Sequence, residues 1–276
     1  MRRLALALLA LALLAGCSAT RFAYQHADLF LRWQTGRYLD VHGAQSDELD
    51  ARVAAFLAWH RAEALPQYAR LAREGEARLA RGLSRADLVW GYDSFQIQIR
   101  AATRAMAEEF APLLDRLNPE QIEHLRQRFA EDNRKFAREQ LAGDEGERRR
   151  RRVKRNVERL EDWLGGLSDA QVEQVRQYSE RAPLVGEMRD RERRRLQSEF
   201  LAMLVAREAG RRLPDWAQHW DRNREPAFAA AHRANLDALY AMLLGLERML
   251  TPVQRESAQA RFRQYAADFE RLAATP

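Results

Sequence analysis

The stretch SRADLVWGYDSFQIQIRAATRAMAEEFAPLLDRL, residues 84–117, decides the fold class. Leu88, Tyr92, Phe95, Ile99, Met106, Phe110, Leu113 and Leu117 recur at spacings of three, four and seven. That periodicity collects them on one side of a helix, not on alternate faces of a strand. It predicts one long helix with one buried face. The same period runs outward in both directions. Val53, Leu57, His60, Ala64, Tyr68 and Leu71 carry it upstream, and Ile122, Leu125, Phe129 and Phe136 carry it downstream. Val153, Val157, Leu160 and Leu164 continue it, then Leu236, Leu239, Leu243, Leu246 and Leu250, then Phe262, Tyr265 and Phe269. Strand alternation is absent. With only 13 glycines and 8 prolines and short breaks, the chain reads as all-α, with about seven to eight helices packed as antiparallel hairpins and bundles. Sub-bundles over 24–142 and 144–276 are the simplest internal division.

Three of the breaks share a pattern: Leu117-Asn118-Pro119-Glu120-Gln121, Leu167-Ser168-Asp169-Ala170-Gln171 and Leu250-Thr251-Pro252-Val253-Gln254. Asn118, Ser168 and Thr251 are N-cap types, and Gln121, Gln171 and Gln254 stand at the position from which a side chain reaches back to the cap's own N–H. Pro119 and Pro252 occupy the first helical position, where a missing N–H costs nothing. Capping explains the pattern by itself. A functional reading stands beside it, because the pattern resembles the LTxxQ motif of small helical periplasmic chaperones.

The N-terminus has a separate meaning. Arg2 and Arg3 precede a Leu/Ala run from Leu4 to Ala15, too short for the roughly 20 apolar residues of a membrane-crossing helix. It reads as a secretion signal over residues 1–16, and Leu14-Ala15-Gly16-Cys17 resembles the lipobox of bacterial lipoproteins. Cys17 is the only cysteine, so it has no disulfide partner within the chain. The expectation is a covalent lipid on Cys17, an anchor segment over 17–23, a helical domain over 24–276, and no other cofactor. The alternative is an ordinary signal cut nearby that leaves Cys17 incidental. Ser18 in place of an aspartate favours outer-membrane sorting under the rule of enteric bacteria.

Further pieces resemble an uncharacterised family of proteobacterial lipoproteins, DUF6279. They are Arg21-Phe22-Ala23-Tyr24 with Asp28 and Trp33, Tyr38-Leu39-Asp40, Trp59-His60-Arg61 with Glu63, Leu65-Pro66 and Tyr68. Leu117 to Gln121, Asn133 with Lys135-Phe136, Trp163-Leu164-Gly165 and Leu167 to Gln171 complete the set. The resemblance implies a helical lipoprotein and supplies no catalytic residue.

Charge and chemistry narrow the function. Loss of Arg2 and Arg3 with the signal lowers the formal charge of +6 to +4, and both signs are interspersed, which points away from nucleic acid. Beyond the signal, no stretch is apolar enough to cross a membrane. His26, His42, His60, His124, His219 and His232 form no pair at metal-ligand spacing, so no metal is expected. Asp215 and His219, one turn apart beside Trp216 and Trp220, read as a helix-face pair. His60 on an apolar stripe reads as a core histidine bonded to a carboxylate. Glu63 beside Pro66 reads as part of a kinked helix. Signatures for a nucleophile, a phosphate loop or a dinucleotide are missing.

Arg148, Arg149, Arg150, Arg151, Arg152, Lys154 and Arg155 make the densest charge run, with a second between Arg189 and Arg195. Both read as solvated helix faces, or as patches for anionic headgroups or acidic partners. The sequence thus predicts an outer-membrane-anchored periplasmic lipoprotein serving as a non-catalytic interaction or chaperone-like scaffold. The competing reading is an envelope enzyme with an unrecognised site. An apolar or basic concave surface between helices would favour the first, and a closed pocket gathering His60 or buried carboxylates the second.

Overall fold

The computed structural model describes residues 20–275. Among these it contains no strand and eleven α-helices: α1 (Ala27–Leu39), α2 (Ala44–Trp59), α3 (Leu65–Ala80), α4 (Arg85–Leu114), α5 (Pro119–Phe136), α6 (Glu145–Leu164), α7 (Asp169–Arg181), α8 (Gly186–Val205), α9 (Ala209–Gln218), α10 (Pro226–Glu247) and α11 (Pro252–Ala273). Residues 20–25 are also helical, so the anchor segment expected over 17–23 is helix from Thr20 onward. Residues 1–19, including the expected signal and Cys17, lie outside the described residues. No described helix is long and apolar enough to cross a membrane.

The helix count exceeds the expected seven to eight because several stops carry no glycine or proline. Asp40 ends α1 at φ 50° and Arg207 follows α8 at φ 54°, both in the left-handed region that glycine usually fills. A π-helical turn, His60–Ala64, also divides the stripe read through Val53 and Leu71. There the Leu65 N–H bonds back to the His60 carbonyl. Pro66, read as the site of a kink, stands in the first turn of α3 directly after this π-helical turn, a recognised way for a helix to absorb an interruption.

Helix α4 begins at a capping box, in which Asp87 N–H donates to Ser84 Oγ (3.2 Å) and Ser84 N–H donates to Asp87 Oδ2 (2.9 Å). Thirty residues at 1.5 Å each carry it roughly 45 Å. Its C-terminal half is core: Ala107, Phe110, Ala111, Leu113 and Leu114 pack with Leu49, Val53 and Phe56 of α2, Leu125 of α5, Leu201 and Leu204 of α8, and Leu213 of α9. A second core joins Leu79 of α3, Leu164 of α6 and Ala258 of α11, and a third joins Val175 of α7 with Met242 and Leu246 of α10.

These cores do not follow a division at residue 143. Helices α8 and α9 pack with the first half of the chain, while α3 lies along α11. Small residues allow that last approach. Ala69, Ala72 and Gly75 are buried on α3, and a Cβ on Gly75 would stand 2.8 Å from the Phe262 ring. The stripe on α4 is likewise only half buried: Phe95 is 59% and Met106 39% exposed. Periodicity identifies an apolar face but not what covers it.

Candidate functional site

The capping boxes at Ser168 and Thr251 meet each other. Gln171 Nε2 donates to Gln254 Oε1 (2.8 Å), and Gln254 Nε2 donates to Gln171 Oε1 (2.9 Å). Their second amide hydrogens go to the carbonyls of Met249 (3.2 Å) and Gly166 (2.8 Å). Each Oε1 also accepts the N–H of its own cap residue, Ser168 or Thr251. Gln171 is 1% and Gln254 7% exposed, so the polar satisfaction needed away from water is met by the two turns together.

The third motif repeats this geometry with an unforeseen partner. Gln121 accepts from Asn118 N–H, and its Nε2 donates to Gln45 Oε1 (2.7 Å) and to the Asp40 carbonyl (3.0 Å). Gln45 Nε2 approaches Gln121 Oε1 (3.5 Å) and the Arg116 carbonyl (3.4 Å). In all four cases a glutamine donates to the carbonyl five positions before its partner glutamine. Helix contacts repeat too: α1–α2, α2–α4 and α1–α5 around the first pair, α6–α7, α7–α10 and α6–α11 around the second. The fold therefore holds two related units, each made by two helix–turn–helix segments that meet at their turns. Val41, four before Gln45 and buried where the other motifs have leucine, is the sequence signal for the missed member.

Between the units lies a cleft of about 610 Å³, walled by α3, α4, α10 and α11. Leu71, Leu88, Phe95, Ile99, Leu243 and Phe262 supply much of its surface. Along α4 it runs from Asp87 to Ile99, roughly 18 Å of helix. Charge is confined to one end. There Arg78 donates to Asp87 (2.6 Å) and its guanidinium lies 4.1 Å over the Trp90 ring. Hydrogen bonds from Ser84 and then Arg78 hold the Asp87 carboxyl far below the usual carboxylate range, so it stays ionised and engaged. Tyr92, on the same wall, bonds through its hydroxyl with His232 Nε2 (3.0 Å) and accepts from Gln96 (2.9 Å).

A family of unknown function, DUF6279, has a model that matches residues 37–219. The chain belongs to this family. The DUF6279 match includes Gln45, Gln121, Gln171 and the α3 and α4 walls of the cleft, while Gln254, α10 and α11 lie beyond it. No curated protein and no solved structure matches the chain.

The remaining sequence candidates separate in space. His60 is half-buried among Tyr24, Phe56, Trp59 and Tyr68, and its Nδ1 bonds with the Tyr24 hydroxyl (2.9 Å), not with the expected carboxylate. Burial, then Arg61, pushes its pKa below the ordinary histidine value. Glu63 is exposed. Asp215 pairs with His219 (3.0 Å) and Arg222 (3.0 Å), as a helix-face pair would. Trp216 packs against the first core and donates to Glu199 (2.7 Å). Among the described residues, no group of three His, Asp or Glu could hold a metal ion.

Much of the arginine run is used internally. The Arg152 guanidinium donates to the carbonyls of Ser179 (2.7 Å), Ala182 (2.6 Å) and Pro183 (2.9 Å), satisfying acceptors at and just beyond the C-terminus of α7. Arg148 pairs with Glu187, Arg149 with Glu145, Lys154 with Glu158, and Arg151 donates to the Ala142 carbonyl. Arg150, Lys154 and Arg155 stay exposed. In the second cluster Arg191 pairs with Glu225, Arg193 and Arg194 with Asp190, and Arg195 with Glu192 and Glu199.

Proposed function

We propose that this chain is a lipoprotein anchored through Cys17 in the outer membrane and facing the periplasm, where it acts as a chaperone-like scaffold. The anchor rests on the Leu14–Cys17 motif and the basic, apolar start of the chain. The scaffold activity rests on one observation, the apolar cleft along α4. An open apolar groove of that length fits about three turns of an apolar helix or a short extended segment, and its ligand is a polypeptide stretch exposed before folding. Asp87 and Arg78 are spent on each other and on the helix cap, which leaves the groove floor to shape and burial. A rim residue such as Phe95, exposed before binding and covered after it, contributes its own buried area, roughly 25 cal/mol per Å² of apolar surface.

Suppression of aggregation tests the reading. Light scattering from a denatured reporter protein diluted into buffer should fall when equimolar chain is present. Phe95→Asp should abolish the protection, while Val205→Asp, on an exposed residue elsewhere, should keep it. Equal protection by both variants would rule out the cleft as the binding surface.

A further inference from the structure

We propose that the exposed face of the first helical stretch, residues 20–39, is a membrane-docking surface that lies among the lipid headgroups. Phe22, Leu29, Phe30 and Trp33 are 62%, 59%, 59% and 59% exposed; Leu29, Phe30 and Trp33 share one side of α1, and Phe22 lies in the helical segment just before the break at His26. The opposite side is fixed in the protein: Tyr24, Ala27, Leu31 and Tyr38 pack on the first core with buried Leu39. α1 therefore has two apolar faces, and the described residues cover only one of them. The one acidic residue between Phe22 and Arg37, Asp28, is half-buried. Arg37 closes the stripe with its guanidinium 4.9 Å over the Trp33 ring. Aromatic rings beside a cation form the combination that settles at the boundary between headgroup and acyl chain, with an amphipathic helix sinking roughly 5–10 Å into it.

The chain upstream identifies the occupant. Phe22 lies five positions after Cys17, a reach of at most about 18 Å. In a precursor the Leu4–Ala15 run would sit in lipid, and in a lipidated product the acyl chains on Cys17 would do so. Either state brings the stripe to the same surface, where each exposed ring adds apolar burial to the anchor. The inference rests on the lipoprotein reading, and the following experiment separates the two.

Full-length chain isolated from bacterial envelopes is incorporated into vesicles of phosphatidylethanolamine and phosphatidylglycerol carrying brominated acyl chains, and tryptophan quenching is read. Mass analysis of Cys17 reports acylation independently. The inference predicts quenching that falls at least twofold in the Trp33→Phe variant, whose conservative change leaves folding intact. It also predicts that Leu29→Ser/Phe30→Ser, with Cys17 intact, loses at least half of the lipid quenching of Trp33 seen in the parent chain. Acylated protein with unquenched Trp33 would overturn the inference and keep the anchor; quenched Trp33 in unacylated protein would do the reverse. A dimer in solution that the stripe variants dissociate, without lipid quenching, would assign the face to a second copy and overturn the inference.

Discussion

Gln171 and Gln254 form a closed amide pair, each donating to the other's carbonyl oxygen where two interhelical turns meet. Each is buried, and each also serves a cap N–H on its own helix and a carbonyl on the opposite turn. Removing one partner strands the other. Gln171→Leu should destabilise the fold by about 2–4 kcal/mol, because several buried polar groups lose their partners at once. Gln171→Leu/Gln254→Leu should cost clearly less than the sum of the single variants, a coupling readable by denaturant titration.

The Gln45–Gln121 pair has the same plan in a looser form, with Gln45 half-buried and its amide at 3.4–3.5 Å from its acceptors. Gln45→Leu should therefore cost about 0.5–1.5 kcal/mol, the value of an ordinary hydrogen bond. A Gln45→Leu loss as large as that of Gln171→Leu would contradict the ranking.

The motif boundaries were legible in the sequence because capping is local chemistry: Asn118, Ser168 and Thr251 form their boxes as their spacing predicts. Their pairing was not, since nothing local says that Gln171 meets a residue 83 positions away. Gln45 was harder to see because its helix starts at Gly43 with no side-chain cap. The helical class followed from the 3.6-residue period. The cleft did not, because Leu88 and Phe95 have the same period whether a neighbouring helix covers them or leaves a groove.

Arg152 and Arg150 should behave as different kinds of residue despite lying in one run. Arg152→Ala removes the donor to three carbonyls at and just beyond the C-terminus of α7 and should destabilise by about 1–3 kcal/mol. Arg150→Glu/Lys154→Glu, on exposed positions, should move stability by no more than about 0.5 kcal/mol at each site. Thermal unfolding of the two variants distinguishes the roles.

His60 makes stability depend on pH in a defined direction. Burial lowers its pKa in the folded state, so its contribution is fully present above the unfolded value of about 6.5 and is lost as the pH falls through the folded value. His232, also lowered by burial, acts in the same sense. The melting temperature should drop between pH 7.5 and pH 5.5. His60→Phe should flatten that drop, and an unchanged slope in the variant would dismiss His60 as its source.

An apolar segment of another polypeptide is the ligand proposed for the cleft along α4. Photo-crosslinking of a labelled apolar peptide to the intact chain carrying a benzophenone side chain at position 95 or at position 205 tests it. The expected result is an adduct from position 95 alone, competed by unlabelled peptide and indifferent to added fatty acid. Equal adducts from both positions, or displacement of the peptide by the fatty acid, would contradict it.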